Sequence, residues 1–324
     1  AIVGVTDAVS PTGELALTGR ALEAQVVREA LDDAGLTLAD VDGICHMGAM
    51  AFAEYLGIHP RFVDSTITGG SVFEVYLEHA AAAVAAGVAE CVLVVFAQTP
   101  RASRTAAKAR AGASAPPQRL GGSAWGEPDV RAEWEAPYGL QGPVGSYALA
   151  ADRHMSRYGT TPEQLATIAV RTREWAALNP RARYRDPLTV DDVLASDLVA
   201  SPLHKLDCCL VTDGAGAEMV DAEGKLQVCS DASVAATTDF INIIRTASPE
   251  GAGAFIVPAG GRARPLRRPP VYVLGAATAQ DHLMISQMPD LTTTPGAVSG
   301  PRAFEMAGVR PADVDVLMGY DSFT

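Results

Sequence analysis

Few residue groups in this chain have the types and spacing for chemistry. Gly69-Gly70-Ser71-Val72-Phe73 comes within one position of the Gly-x-Ser-x-Gly turn that exposes a serine nucleophile. Phe73 stands where that turn needs glycine for close helix packing, so a serine hydrolase is disfavoured. His204, Cys208 and Cys209 are metal-ligating types. Adjacent cysteines rarely reach one ion together and no Cys-x-x-Cys accompanies them, so the reading is a packed, metal-free cluster. Gly-x-Gly-x-x-Gly and Walker loops are absent, which removes the usual dinucleotide and nucleotide cradles.

The elements that must carry these residues alternate between strand and helix. Apolar Leu22, Val26, Val27, Ala30 and Leu31 recur at helical spacing over 18–34, and Gly35 supplies the left-handed stop. Val41–Met47, Arg61–Thr66 and Cys91–Phe96 read as strands, with helices at Phe52–Leu56 and Ser71–Ala86. Cys91–Phe96 is continuously apolar, as in a strand covered on both faces, and the alternation predicts an α/β layer with a largely parallel sheet. After Thr99 the periodicity lapses among Pro116-Pro117, Gly121-Gly122, Trp125, Trp134 and Tyr138, the mark of a large insertion. Within it, Ser146–Tyr158 and Thr161–Leu178 read as helices, and Asp191-Asp192 opens a short one. The core is expected to resume at Cys208–Thr212, with a strand at Val271–Leu274 and a helix at Pro301–Ala307.

Composition narrows the partners. The 324 residues carry 25 Lys and Arg against 38 Asp and Glu, a net charge of -13. No basic block offers a footprint for a phosphate backbone, so nucleic acid is not expected as a partner and acidic ligands must be met locally. The longest apolar stretches fall short of the roughly 18 residues that span a bilayer, and no basic-then-apolar leader opens the chain. Five cysteines, two of them adjacent, make a poor disulfide framework and fit reduced thiols in a soluble, cytoplasmic protein.

A repeat divides the chain. Ala34-Gly35-Leu36-Thr37-Leu38-Ala39-Asp40-Val41-Asp42 is echoed by Ala307-Gly308-Val309-Arg310-Pro311-Ala312-Asp313-Val314-Asp315, each copy following a helix and leading toward a hydrophobic strand. Duplicated α/β halves are the reading. A smaller echo, Gly214-Ala215-Gly216-Ala217 and Gly251-Ala252-Gly253-Ala254, brackets an excursion of uncertain structure.

Four segments together resemble the thiolase superfamily, and its lipid-transfer-protein (sterol-carrier-protein thiolase) branch above all. They are Val63-Asp64-Ser65-Thr66-Ile67-Thr68-Gly69-Gly70-Ser71 before an Ala-rich helix, Ser201-Pro202-Leu203-His204-Lys205-Leu206-Asp207-Cys208-Cys209, Thr212-Asp213-Gly214-Ala215, and Tyr320-Asp321-Ser322-Phe323. The resemblance covers essentially the whole chain and implies two duplicated α/β halves with a large inserted loop domain. The boundaries it implies are an N-terminal half at 1–98, an insertion at 99–204, the end of that half at 205–217, a linker at 218–260 and the start of a C-terminal half at 261–324. Thiolases continue beyond the last motif, so the second half reads as truncated.

Two departures from the thiolase pattern set the expected chemistry. Thiolases place a nucleophilic Cys three residues before the glycine, where this chain has Thr66 with no evident neighbouring base, so a covalent acyl-enzyme is not expected. Thr66 then either lines the substrate or only packs. Where related thiolases carry His-Asp-Cys-Phe, this chain has Tyr320-Asp321-Ser322-Phe323, and a phenol suits donating a proton. This resembles the thiolase-like aldolases of bacterial steroid side-chain degradation, which cleave a β-hydroxyacyl-CoA by retro-aldol chemistry. The resemblance implies Tyr320 as the catalytic residue and Thr66, Gly69, Gly70, Ser71, Asp321 and Ser322 as substrate contacts. It implies no metal, no cofactor beyond the CoA of the substrate, a homodimer built on Cys91–Phe96 and Ser71–Ala86, and a small OB-fold partner that binds acyl-CoA. A catalytically silent acyl-CoA-binding or lipid-binding subunit, or another acyl-CoA transferase or condensing enzyme, are the alternatives.

Overall fold

The computed structural model describes residues 1–10, 12–17, 19–68, 72–111, 130–140, 142–221, 273–282, 284–314 and 323–324. The chain forms two compact units. The first comprises Ala1–Thr105, Val211–Thr278 and Ser299–Tyr320, and the second Ala106–Leu210, Ala279–Val298 and Asp321–Thr324.

The first unit is built on a five-stranded sheet. Its strands are β1 (Ile2–Ala8), β2 (Gly43–Cys45), β3 (Phe62–Asp64), β4 (Cys91–Gln98) and β7 (Gly214–Asp221), in the order β1-β7-β4-β2-β3. β2 runs parallel to β3 and β4, as the alternation with helices requires. β7 runs antiparallel to both β4 and β1, with Cys91 opposite Asp221 and Gln98 opposite Gly214. The sheet is therefore less parallel than its sequence pattern predicts, because the returning strand enters between β1 and β4. That strand starts at Gly214. Cys208 and Cys209, where the core was expected to resume, are only half-buried, and Cys208 makes an isolated bridge to Phe323 in the second unit.

Helices α1 (Gly19–Ala34) and α3 (Val72–Ala85) fill the layers against the sheet, with α2 (Ala49–Leu56) between β2 and β3. Leu22, Val26, Val27, Ala30 and Leu31 of α1 are all buried, which is the stripe that its 3.6-residue spacing creates. Residues 91–96 of β4 are buried throughout because β4 has sheet neighbours on both sides and helices over it. The outer strands of this sheet are β1 and β3, and Cys91–Phe96 lies inside it. Gly43 is required by crowding, since a Cβ there would stand 2.7 Å from Val92 Cγ2.

Asp42 clips the two central parallel strands together. Its Oδ1 accepts the N–H groups of Glu90 at 2.8 Å and Cys91 at 2.7 Å, and its Oδ2 accepts Arg61 Nε at 3.0 Å. Helix α4 (Pro100–Ala111), missed in the aperiodic stretch after Thr99, begins immediately after β4.

The repeat is reproduced bond for bond within the described residues. α9 (Gly296–Ala307) and α1 both end on a left-handed glycine, Gly308 with φ 67° and Gly35 with φ 73°. Val309 N–H bonds Phe304 O at 3.3 Å as Leu36 N–H bonds Leu31 O at 2.9 Å, and short 3-10 turns follow at Pro311–Asp313 and Leu38–Asp40. Asp313 and Asp40 each accept the N–H three residues earlier, at 2.9 Å in both copies. The strand expected at Val271–Leu274 is not seen where it is described: Val273 and Leu274 lie in irregular backbone.

The second unit packs α5 (Val130–Trp134), α6 (Gly142–Tyr158), α7 (Pro162–Leu178), α8 (Val190–Leu194) and a two-stranded hairpin of β5 (Leu198–Ala200) and β6 (Leu203–His204). Its small core gathers Ala166, Ala169 and Val193 with Val170, Leu188 and Leu206. Thr161 opens α7, and its N–H bonds Gln164 Oε1 at 2.9 Å.

Candidate active site

β2, β3 and β4 are parallel, so their C-terminal ends share one edge of the sheet, which is where open α/β sheets bind ligands. The chain leaves β3 at Asp64 and turns through Ser65, Thr66, Ile67 and Thr68 toward α3. Every polar group of Thr66 is held there. Its N–H and its hydroxyl both donate to Asp64 Oδ1, at 2.8 and 2.7 Å, and its carbonyl accepts the Tyr76 hydroxyl at 2.7 Å. The other Asp64 oxygen lies 2.5 Å from His79 Nδ1, one turn further along α3 than Tyr76. Thr66 thus does have a carboxylate beside it, which corrects the expectation of no neighbouring base.

The electrostatics explain why that carboxylate is a weak base. Burial alone would raise the Asp64 pKa, but hydrogen bonds from His79 and Thr66 outweigh it and hold the group below the usual carboxylate range. A carboxylate that weakly basic does not take the proton of a threonine alcohol, so Asp64 does not activate Thr66 as a nucleophile. Burial, reinforced by Asp64 and Cys45, pushes the Tyr76 phenol well above its usual value, and it serves as a neutral donor. Burial and the Asp64 charge likewise hold the Cys45 thiol far up, leaving it inert. Among the described residues the buried Thr68 hydroxyl has no hydrogen-bond partner.

A second polar cluster lies beyond β2. His46 Nδ1 accepts the Gly48 N–H at 2.9 Å, so the ring proton sits on Nε2 and is directed at Glu23 Oε1, 3.0 Å away. Arg20 stands 3.5 Å from the other Glu23 oxygen and lies over the Phe52 ring. Arg20, Glu23, His46, Met47, Phe96 and Gln98 line an open cleft of about 440 Å³.

Sequence reasoning singled out Thr66 and missed Asp64, His79, Tyr76, Glu23 and His46 as polar partners. The usable signal was the position of Tyr76 and His79 near the start of α3, directly after the Thr66 loop. Gly69, Gly70, Ser71, Tyr320, Asp321 and Ser322 lie outside the described residues. Phe323 and Thr324, which follow them, are anchored in the second unit. Thr324 N–H bonds Asp207 O at 3.1 Å, its hydroxyl bonds Asp207 Oδ1 at 3.0 Å, and Phe323 packs against Tyr147 with ring centroids 4.6 Å apart and the rings tilted by 37°. The Ser201–Cys209 motif and the end of the Tyr320–Phe323 motif therefore meet. Among the described residues no group of three or more His, Cys, Asp or Glu is placed to hold a metal ion, and no helix is long and apolar enough to cross a membrane.

A thiolase C-terminal domain-like family model matches residues 277–324. The chain is 29% identical over 334 residues to the 17-hydroxy-3-oxo-4-pregnene-20-carboxyl-CoA lyase of Mycobacterium tuberculosis, covering 99% of this chain and 74% of the relative. It is 28% identical to the steroid side-chain-cleaving aldolase of Thermomonospora curvata, covering 99% and 73%. The solved structure of the Ltp2-ChsH2(DUF35) aldolase superposes with a TM-score of 0.70 at 26% identity, over 96% of this chain and 70% of that one. These likenesses are all to proteins of the thiolase kind, which is what the chain resembles. Its fold is thiolase-like.

Proposed function

We propose that the chain is a carbon–carbon lyase of the thiolase-like aldolase type, cleaving a bulky steroid side-chain β-hydroxyacyl-CoA to a ketone or aldehyde and a shorter acyl-CoA. The observation that carries this is the likeness, over 99% of the chain, to two proteins named for cleaving steroid substrates. The Thr66 geometry supports a route without an acyl-enzyme, because the residue in the nucleophile's place donates its hydroxyl proton in a hydrogen bond to a weakly basic carboxylate.

In such a cleavage the β-hydroxyl loses its proton, the Cα–Cβ bond breaks to leave a carbonyl at Cβ, and its electrons form a thioester enolate that is protonated at Cα. No oxidant or reductant is consumed, and no cofactor is needed beyond the CoA of the substrate. Tyr320 exchanges a proton with the β-hydroxyl or the enolate. Thr66, Gly69, Gly70, Ser71, Asp321 and Ser322 line the acyl-CoA. The protein works in the cytoplasm as a homodimer joined along β3, an edge strand flanked by exposed Met50, Tyr55, Val63 and Ile67. A small OB-fold protein that binds acyl-CoA is its partner, a reading supported by the two-component name of the similar aldolase structure. The test is incubation with a steroid side-chain β-hydroxyacyl-CoA, with and without such a partner. The expected products are a steroid ketone or aldehyde and a shortened acyl-CoA, and an intact substrate in both arms rejects the assignment.

A further inference from the structure

Thr66 is clamped at all three of its polar groups, which is more than a loop residue needs to pack. A hydroxyl has one proton and two lone pairs. Here the proton is given to Asp64 Oδ1 at 2.7 Å, and the same oxygen takes the Thr66 N–H, so the hydroxyl cannot turn without breaking the pair. His79 occupies the other Asp64 oxygen, which leaves Oδ1 for Thr66 alone, and Tyr76 fixes the carbonyl from the far side. What Thr66 retains for a ligand is lone pairs only.

We propose that Thr66 is an acceptor-only contact that reads the hydroxyl of a β-hydroxyacyl-CoA and discriminates against the β-ketoacyl-CoA of the same chain, with Asp64 as the positioning residue that fixes this polarity. The proposal rests on the placement of Thr66 beside the acyl group given above. A β-hydroxyl can donate to those lone pairs. A β-ketone, which only accepts, would face them lone pair to lone pair and leave both oxygens unsatisfied. The arrangement suits an enzyme that starts from the alcohol, since a thiolase acts on the ketone.

The test uses the full chain and three acyl-CoA thioesters of one steroid side chain whose β-carbon carries a hydrogen, the case in which all three exist: β-hydroxy, β-keto and saturated. Dissociation constants are measured by competition, and cleavage products are assayed in the same samples, so binding and turnover are scored separately. The wild-type chain should bind the β-hydroxy ligand about tenfold more tightly than the β-keto one, the size of one net hydrogen bond. Thr66→Val should bring that ratio to near one, and Thr66→Ser should keep it. Asp64→Ala, which leaves the threonine but frees its proton, should also lower the ratio, an effect that a purely structural role would not produce in a variant whose melting curve stays cooperative. A wild-type ratio near one, or a ratio unchanged in folded Thr66→Val, overturns the proposal. Discrimination without any cleavage rejects the lyase reading alone, and absence of binding by all three ligands rejects both.

Discussion

Asp213 caps a helix that lies 112 positions before it: its Oδ1 accepts the Arg101 N–H at 2.8 Å and the Ala102 N–H at 3.2 Å. Its other oxygen accepts Leu15 N–H at 3.0 Å, and its own N–H bonds Gly13 O at 2.9 Å. One buried carboxylate thus ties the start of α4, the loop before α1 and the entry to β7. The Thr-Asp-Gly-Ala motif has a structural reason that involves no substrate. Asp213→Ala should strip three backbone donors of their acceptor at once and destabilise by about 2–4 kcal/mol, with Asp213→Asn recovering part of the loss. Urea unfolding of both variants checks this, and an unchanged midpoint for the alanine variant contradicts it.

Gly43→Ala tests the crowding between β2 and β4. The added methyl would meet Val92 Cγ2 at 2.7 Å and Ala89 Cβ at 3.2 Å in a sheet interior that cannot open. A loss of about 1–3 kcal/mol is expected, the usual cost of overpacking. Pairing it with Val92→Ala should recover part of the loss, which a double-mutant cycle would read directly.

Asp64 gives the fold an acid-sensitive contribution. Its pKa is lowered in the folded chain, so the stability it provides is fully present above its unfolded value of about 3.9 and is lost as pH falls through the lower folded value. The gap in unfolding free energy between wild type and Asp64→Asn should narrow as pH falls below about 4. A gap that is unchanged or widens there would contradict the hydrogen-bond assignment.

Tyr320→Phe removes one hydroxyl and should leave the melting temperature near that of the wild type. Turnover of a β-hydroxyacyl-CoA should fall by roughly 10²–10⁴-fold, the range for a lost general acid or base. A packing role would show the reverse pattern, a lower melting temperature with turnover per folded molecule intact.

What the sequence made legible was whatever periodicity encodes. α1, α3, α7 and β4 are found within a few residues of their expected bounds, since each has an unbroken apolar stripe or run to announce it. β1 and β7 were not foreseen as strands. Ile2–Ala8 carries Gly4, Thr6 and Asp7, and Gly214–Asp221 reads Gly-Ala-Gly-Ala-Glu, neither of them a recognisable strand pattern. Small residues suit β7 because it threads between two other strands, a tertiary demand with no local signature. The same limit applies to the site. Thr66 was found through a resemblance, whereas the Asp64–His79 pair, 15 positions apart, exists only once β3 and α3 pack.

The late arrival of β7 also has a bearing on synthesis. Among the described residues β1 pairs only with β7, through the register from Ile2 opposite Val220 to Ala8 opposite Ala215. A ribosome must therefore deliver the whole of 99–213 before β1 finds this partner. Until then β1 and one edge of β4 present open backbone, so the nascent chain passes through a long interval of exposed strand edges. High-separation pairing of this kind slows folding, which makes the span between Gln98 and Gly214 the stretch during which the chain most needs shielding from its neighbours.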